Sequence, residues 1–554
     1  MSCTKFKLTT VAALVLAATQ ANAALYTVVE VESPVTANET YGVAIQPSTG
    51  SALGNLGCFD ENATSAECEG YKLAGETRNS VEAVSYREEV PFAMDTAFQY
   101  IQDRDDFEYY CDRELKYSTC ESWANKRWST WSREKSNLAS VNSQAFIEGD
   151  SAPISQYNSV INALDSSAAP LGIESDGTSI RNNAITTASL NSTTSETRAW
   201  DSLTVGSTTY NVGSISTSNS NDNGSYFNSR AAIWDGTNQV SISWVSGSSQ
   251  TGDFLAQGSM RGLAEKGNVL YGVGYNNEDG SGDLQDLSAS IFVSSGLDLA
   301  NDTWTTRVIS GARVESSDDY LYSNSVATDI NDNLLVIGHA KRRGEVPENG
   351  SASTKMFVVP DASVSSPSAS FLSGGIFFSG AGGEAKSVNN FNEIVGQVDA
   401  ESNREIDGKE RRHRGFIYPY NDSVDATRSA IFNNKAWWLD DLTNDGNATG
   451  ANNHFRILDA TDINDAGVIS ATAVKCTVNG SDQAYDTTSH NSYCGGAGSG
   501  AVEEVVAVKL VPIAGATSAN IQTRGTETPT VERQGAGLGV LALAVLGFIG
   551  FRRK

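Results

Sequence analysis

The sequence predicts an all-β fold, a repeat-built, β-propeller-like domain with a small helical, disulfide-clipped insertion. Three observations lead to this prediction. Glycine (50 residues) far exceeds proline (11 residues), as expected for many short strands joined by turns. Apolar residues make up 39% of the chain, which is enough to bury a large core. The third observation is a motif that recurs in the C-terminal half.

The recurring motif begins Ala327-Thr-Asp-Ile-Asn331 and ends Val-Ile-Gly338. A second copy, from Ala385 to Gly396, follows at a constant offset of 58 residues. A third copy spans 460–470, and a degenerate one spans 262–272. The pattern indicates two strands around a turn, in which Ile or Val faces the core and Asn bonds its own backbone. We therefore expect buried side chains at Ile330, Val388 and Ile463, and turns at Asn331, Asn389 and Asn464.

A second element alternates with the motif, a short strand in which small residues precede bulky ones, as in Gly415-Phe-Ile-Tyr418. Copies of the motif lie roughly 58 to 75 residues apart, which suits one small sheet per repeat, as in propeller blades. Over about residues 225–475 the chain resembles the HAF-type extracellular repeats of bacteria. This resemblance implies an exported, β-propeller-like protein and no defined chemistry. The overall layout also resembles an uncharacterised family of exported proteins from marine gamma-proteobacteria.

Residues 1–23 have the features of a secretory signal peptide. Two lysines precede an apolar run from Leu8 to Ala18, and a small-x-small cleavage site ends at Ala23. We expect signal peptidase to cut between Ala23 and Ala24. The alternative, an N-terminal core helix, is disfavoured because a strand-like alternating pattern follows at once.

The C-terminus predicts a flexible linker (517–534) and a sorting or transmembrane tail (535–554). The linker is rich in Thr, Ser, Glu and Pro, whereas the tail combines glycines, an apolar run and terminal cations. The tail resembles the GlyGly-CTERM sorting signals, which implies transient anchoring in the inner membrane, cleavage by a rhomboid-type protease and release to the surface, commonly through type II secretion. A plain single-span anchor is the alternative. The tail residues concerned are Gly535, Gly537, Gly539, Arg552, Arg553 and Lys554.

The cysteines suit an oxidising compartment. Loss of Cys3 with the signal peptide leaves six, which fall in sequence-close pairs and predict three short-range disulfides. Zinc is the rival interpretation, but there is no Cys-x-x-Cys and the four histidines are scattered. The predicted pairs are Cys58 with Cys68, Cys111 with Cys120, and Cys476 with Cys494.

Residues 98–139 interrupt the β pattern. Three tryptophans, Trp123, Trp128 and Trp131, lie among charges near the pair Cys111 and Cys120, which favours a short amphipathic helical insertion. Packing of these aromatics onto the domain is one interpretation, and a surface that stacks on sugar rings is the other.

No cofactor is expected, although calcium stays open as an alternative. Asp329-x-Asn331-x-Asn333 places oxygen ligands at alternate positions, but the rest of a calcium loop is missing. The chain carries no Gly-x-Ser-x-Gly, His-Glu-x-x-His or phosphate-loop motif, so catalytic residues are unknown. Two basic loops, at 341–343 and 411–414, are interpreted as solvated tips, with an acidic glycan or anionic partner as the alternative.

The formal net charge of −27 disfavours nucleic acid as a partner. We expect residues 24–516 to form one propeller-like domain that is surface-associated and acts as a binding or structural module for a glycan or protein ligand. The alternatives are a glycan-active or other carboxylate-using hydrolase on a propeller scaffold, and an accessory of envelope assembly or secretion.

Overall fold

The computed structural model describes most of the chain between the two predicted targeting segments. The described residues are 24–48, 54–80, 103–178, 183–188, 190, 196–221, 224–246, 250–251, 254–279, 285–312, 325–341, 348, 352, 354–402, 411–420, 424–447, 450–482 and 500–524.

The described strands form seven small antiparallel sheets, each of which is one blade of a β-propeller. Each sheet packs against the sheets before and after it, and blade 7 packs against blade 1, so the ring closes. From the inner to the outer strand, blade 1 contains β2 (Glu39–Ile45), β3 (Leu73–Arg78) and β4 (Ser143–Ile147); blade 2 contains β5 (Ser159–Leu164), β6 (Pro170–Glu174) and β7 (Asn183–Ile185); blade 3 contains β8 (Glu196–Val205), β9 (Thr208–Asn221), β10 (Gly224–Trp234) and β11 (Gln239–Ser241); blade 4 contains β14 (Gly258–Lys266), β15 (Val269–Asp279), β16 (Gln285–Ser294) and β17 (Trp304–Val308); blade 5 contains β18 (Ser325–Ile330), β19 (Val336–Lys341), β20 (Thr354–Val359) and β21 (Ser370–Phe371); blade 6 contains β22 (Gly383–Val388), β23 (Glu393–Asp399), β24 (His413–Pro419) and β25 (Trp437–Trp438); blade 7 contains β26 (Phe455–Ile463), β27 (Ile469–Val478), β29 (Ala501–Pro512) and β1 (Tyr26–Glu30).

Three short strands lie off this pattern. They are β12 (Gln250–Thr251) and β13 (Phe254–Leu255), which form a hairpin between blades 3 and 4, and β28 (Ser481–Asp482), which pairs with β27.

Blade 7 is built from both ends of the described chain. Strand β1 pairs antiparallel with β29, with Tyr26 opposite Pro512 and Glu30 opposite Val508. Leu25, just before β1, is fully buried and its N–H donates to the Leu442 carbonyl. The N-terminal strand therefore completes the last sheet and locks the ring.

Every inner strand carries a β-bulge, a residue without a partner on the second strand. In blade 5 the bulge is Thr328, and Gly338 lies opposite Ala327. A Cβ on Gly338 would lie 2.3 Å from the Val326 carbonyl oxygen, so the bulge requires glycine there. This close approach explains the glycine that ends the sequence motif.

The motif residues occupy equivalent positions in blades 5, 6 and 7. The prediction that Ile330, Val388 and Ile463 are buried is confirmed, because each ends an inner strand and is 5% exposed. The turns that follow contain Asn331, Asn389 and Asn464, and the Asn331 Oδ1 accepts the N–H groups of Asn333 and Leu335.

The described helices are few and short. The segment between β3 and β4 contains α2 (Arg104–Tyr110), a π-helix (Cys111–Leu115) and α3 (Cys120–Ser136), which agrees with the predicted helical insertion. The others are α1 (Ser65–Glu69), α4 (Ala426–Ile431) and α5 (Leu439–Thr443), with short 3-10 turns at Gly54–Phe59, Ala451–His454 and Ser518–Asn520. Among the described residues, no helix combines the length and apolar character that a membrane crossing needs.

Two of the three predicted disulfides are present, Cys58–Cys68 and Cys111–Cys120. Cys476 is also disulfide-bonded, while its predicted partner Cys494 lies outside the described residues. The predicted signal peptide, most of the linker and the whole sorting tail lie outside them as well.

Candidate functional site at the centre of the ring

One bulge from each inner strand contributes a side chain to the middle of the propeller. We call the face where the inner strands begin the upper face, and the face with the motif turns the turn face. Polar and charged residues dominate the bulges of blades 4 to 7, and an aromatic residue occupies that of blade 3. The bulge residues are Val43, Asn162, Trp200, Arg261, Thr328, Lys386 and Thr461.

Three aspartates follow the bulges of blades 3, 5 and 7 and tie each of these blades to the next. Asp329 Oδ1 accepts the N–H of Ile330, and its Oδ2 accepts the N–H of Val388 in blade 6 at 2.8 Å. Asp201 accepts from Leu263 of blade 4, and Asp462 accepts from Ile45 of blade 1. Neighbouring inner strands belong to different sheets and form no ladder with each other. The three carboxylates link them by accepting a backbone N–H from the next blade.

Burial and the charges of neighbouring aspartates shift the pKa values of Asp201 and Asp329. Burial raises the pKa of Asp201 to about 7, and the nearby Asp462 carboxylate adds to this effect. Burial and then the charge of Asp201 raise the pKa of Asp329 to about 8. Raised pKa values are the expected result when carboxylates share a dry space. The raised pKa favours the protonated form of Asp329 near neutral pH.

A lysine and two carboxylates from blades 6 and 7 lie toward the upper face. The Lys386 Nζ donates to Asp459 Oδ2 at 2.5 Å and lies 3.6 Å from Glu384 Oε2. Glu384 also accepts a hydrogen bond from the Gln397 amide. Although burial acts to raise it, the Lys386 charge lowers the pKa of Glu384, so this carboxylate stays ionised.

A cation and an aromatic ring stack between blades 3 and 4. The Arg261 guanidinium lies 3.4 Å from the centre of the Trp200 ring and 5.4 Å from that of Tyr275. Burial lowers the pKa of His339 in blade 5. The Glu384 charge acts to raise it, and the charges of Lys386 and Arg261 act to lower it. The upper half of the ring therefore holds a neutral histidine among paired charges.

The helical insertion lies over this same face. Strand β3 runs toward the upper face and ends at Arg78, so the insertion leaves the sheet there. The Arg133 side chain donates to Ser80 Oγ at 2.8 Å, close to where the insertion begins. Farther along, the Ala352 N–H of blade 5 donates to the Leu115 carbonyl at 3.2 Å. Blades 1 and 5 are not neighbours, so the insertion reaches across the ring.

The tryptophans of the insertion pack inward. Trp123 and Trp131 are buried, and the Trp123 ring contacts the rings of Phe107 and Tyr110. The Arg127 guanidinium lies over Trp123 at 4.0 Å. Trp128 is half-buried. These contacts support the packing interpretation of the aromatics over a sugar-stacking surface.

The basic loop at 411–414 corrects a sequence-based expectation. We expected solvated tips, but Arg411 and Arg414 are buried and His413 is one-quarter exposed. The Arg411 guanidinium and the His413 ring both contact the carboxylate of Asp399, at 3.0 and 3.1 Å. Burial acts to raise the pKa of Asp399, but the His413 bond and these charges hold it below its usual value. Lys341 is also buried, whereas 342–343 lie outside the described residues.

The motif turns of neighbouring blades are joined by side-chain hydrogen bonds. The Asn331 amide donates to the Asn389 carbonyl, the Asn389 amide to the Asn464 carbonyl, and the Asn464 amide to the Gln46 carbonyl. These bonds form a ladder across blades 5, 6, 7 and 1. Each oxygen of Asp329 accepts one backbone N–H group. Within the described ranges, no group of three or more His, Cys, Asp or Glu residues could hold a metal ion.

The sequence analysis did not identify the three aspartates that link neighbouring blades, although two of them lie inside the motif. Asp329 and Asp462 each precede the Ile-Asn pair, yet their partners lie 59 residues later and near the N-terminus. The recurrence of Asp at this position in two of the motif copies was the available signal, and it carried no information on the partner blade.

Residues 202–554 match the model of a family described as "Protein of unknown function (DUF3466)". The chain belongs to this family. The match begins within β8, so the family model covers most of blade 3, blades 4 to 6, and blade 7 without its N-terminal strand β1.

Comparison with curated proteins finds no match for the sequence. Among solved structures, the chain is similar to the Bombyx mori GH32 beta-fructofuranosidase BmSUC1, with 11% identity and a TM-score of 0.23. The match covers 48% of this chain and 58% of that enzyme.

Proposed function

We propose that this protein is exported, becomes associated with the cell surface, and acts there as a rigid binding or structural module. The observation that carries the proposal is the use of the central carboxylates as ties between blades. Asp201, Asp329 and Asp462 accept backbone N–H groups, and Asp459 contacts Lys386. Side chains that are engaged in this way favour a scaffold over a reaction centre.

Export is supported by the two ends of the sequence and by the disulfides. Ala24 and Leu25 are buried in the last blade, so the predicted cleavage before Ala24 leaves the closing strand intact. Disulfides persist in oxidising compartments. The tail then directs the protein through a rhomboid-type protease and type II secretion to the surface.

A direct test expresses the full chain in a Gram-negative host that has type II secretion and a rhomboid-type sorting protease. We expect material at the surface or in the medium that starts at Ala24 and lacks the last residues of the chain. A variant with Arg552, Arg553 and Lys554 replaced by Ser is the matched control, and we expect it to remain cell-associated. Protein that stays in the cytoplasm with Met1 in place would contradict the proposal.

Binding is measured on the same exported protein. Retention on columns of immobilised acidic and neutral polysaccharides, compared with the reduced and unfolded protein, reports whether the folded surface recognises glycans. Retention of the folded form alone supports a glycan ligand. Equal passage of both forms through every column assigns the module a protein or structural role.

A second function, carboxylate-based hydrolysis, is favoured by one specific observation. Asp329 has a raised pKa and Glu384 a lowered pKa on neighbouring blades, which is the pattern of an acid and a base. Release of reducing sugar from a polysaccharide by the wild-type protein, lost in Glu384→Gln, would establish this function. Absence of turnover with every polysaccharide whose column retains the protein would exclude hydrolysis of those polysaccharides.

A further inference from the structure

Lys386 and Asp459 bring a primary amine and a carboxylate from different inner strands together, beside a second carboxylate. Lys386 occupies the bulge of β22, and Asp459 lies on β26 of the next blade. The Nζ atom is 2.5 Å from Asp459 Oδ2 and 3.6 Å from Glu384 Oε2. The three groups are partly buried.

The geometry of Asp459 is unusual for a simple ion pair. Its second oxygen, Oδ1, is buried and has no hydrogen-bond donor among the described residues. A buried carboxylate oxygen that lacks a donor is costly, because it has lost water and gained nothing in return. Conversion of this carboxylate to an amide would remove the charge and leave one neutral carbonyl oxygen in its place.

We propose that Lys386 and Asp459 join in an intramolecular isopeptide bond that covalently staples blade 6 to blade 7. The reaction consumes the ammonium and the carboxylate and yields an amide and one water molecule, so no oxidant or reductant is needed. The Lys386 Nζ forms a bond to Cγ of Asp459, and one Asp459 oxygen leaves with two protons that came from the nitrogen.

Glu384 supplies the base for this reaction. Its ionised carboxylate accepts a proton from the Lys386 ammonium and passes it to an Asp459 oxygen, so that a neutral amine faces a neutral carboxylic acid. After the nitrogen attacks Cγ, a second proton passes from the nitrogen to the same oxygen, which leaves as water. The Gln397 amide holds the Glu384 carboxylate in place through its hydrogen bond. The fixed contact between amine and carboxylate replaces a collision in solution, and effective molarities of about 10⁵–10⁸ M are reached in well-oriented intramolecular reactions.

Such a staple suits the architecture. Strands β22 and β26 belong to different sheets, so only side chains connect these inner strands. Blade 7 is also the blade that β1 closes without a covalent bond. A covalent link from blade 6 would hold blade 7, the blade at which the ring closes, in place. This proposal is independent of the proposed binding role.

The test is a tryptic map of the full-length folded protein after reduction and alkylation. We expect a branched peptide that joins residues 356–404 to residues 457–475 and is lighter than their sum by one water, since trypsin does not cleave after an acylated Lys386. Intact masses of wild type and Lys386→Arg should differ by one water beyond the side-chain difference, which cancels any processing of the chain ends.

Two variants separate the roles of the groups. Lys386→Arg keeps the positive charge but cannot form the amide, and Glu384→Gln keeps the shape but removes the base, so both should yield the two peptides unjoined. A wild-type map in which the peptide ending at Lys386 is abundant, with no branched species, overturns the proposal and leaves an ordinary ion pair. A branched peptide of wild-type abundance in Glu384→Gln overturns the role of Glu384.

Discussion

Replacement of Asp329 by Asn should flatten the dependence of stability on pH. The Asp329 carboxyl has a pKa of about 8 in the folded protein and 3.8 as the reference value for an unfolded chain. Between pH 5 and 7 the folded state therefore binds a proton at this site that the unfolded state does not. Its contribution to stability is fully present below pH 4 and is lost as pH rises through about 8.

The magnitude follows from proton linkage. One proton difference changes the free energy of unfolding by about 1.4 kcal/mol per pH unit, so Asp329 alone should remove about 3 kcal/mol between pH 5 and 7. Asparagine is neutral at every pH, so Asp329→Asn lacks this slope. It also loses one of the two bonds to Ile330 and Val388, which lowers stability by about 1 kcal/mol equally at each pH.

The assay is urea unfolding of the disulfide-intact protein at pH 5, 6 and 7, because groups remote from Asp329 titrate alike in both proteins. We expect the free energy of unfolding to fall by about 3 kcal/mol more in the wild type than in Asp329→Asn. Asp361→Asn is the matched control, because hydrogen bonds from Ser363 lower the pKa of Asp361 and leave it ionised throughout this range. Parallel curves for the wild type and Asp329→Asn would refute the argument for a buried, protonated aspartate.

Four further predictions concern packing, disulfide pairing and processing. Ile330→Ala should lower the free energy of unfolding by about 2–5 kcal/mol, because a buried isoleucine is truncated between two blades. Asn331→Ala should lower the free energy of unfolding by about 2–4 kcal/mol, because the side chain donates to blade 6 and accepts two backbone N–H groups. Urea unfolding measures both variants. A decrease under about 0.5 kcal/mol would contradict the core position of Ile330 or the hydrogen-bond ladder of Asn331, respectively. A non-reducing peptide map should join Cys476 to Cys494, and free Cys494 in exported protein would refute that pairing. N-terminal sequencing of exported protein should begin at Ala24, and a start beyond Tyr26 would be incompatible with the closed last blade.

The sequence predicted the propeller from four blades out of seven, because blades 4 to 7 retain the motif. Blade 2 contains a divergent copy, in which Leu164-Asp165 replaces Ile-Asn and Gly172 lies opposite Ile161 beside the bulge, as Gly338 lies opposite Ala327. The Asp165 carboxylate accepts the N–H groups of Ser167 and Ala169, as Asn331 does from its own turn. A search that treats Asp and Asn as equal acceptors would have found it.

The contents of the central ring were harder to predict. A motif fixes which residues share a position in each blade, but neighbouring blades meet through residues that are about 60 or several hundred positions apart. Arg411 and His413 illustrate the same limit, since their charges suggested solvent until the fold placed Asp399 beside them. Pairing of buried charges depends on the closed ring, which the local pattern does not describe.

The seam between β1 and β29 has a consequence for how the chain folds and how it could be rearranged. Its partners lie at opposite ends of the described chain, so closing the ring carries the entropy of a very long loop and should be the last and slowest step of folding. Until then, blade 7 presents an unpaired edge to other chains. Consider a circular permutant in which a short linker joins residues 24 and 524 and the chain is opened between blades 2 and 3. In this permutant β1 and β29 would pair as a local hairpin, and the last blades to meet would be blades 2 and 3. The order of assembly would then change while the finished ring stays the same.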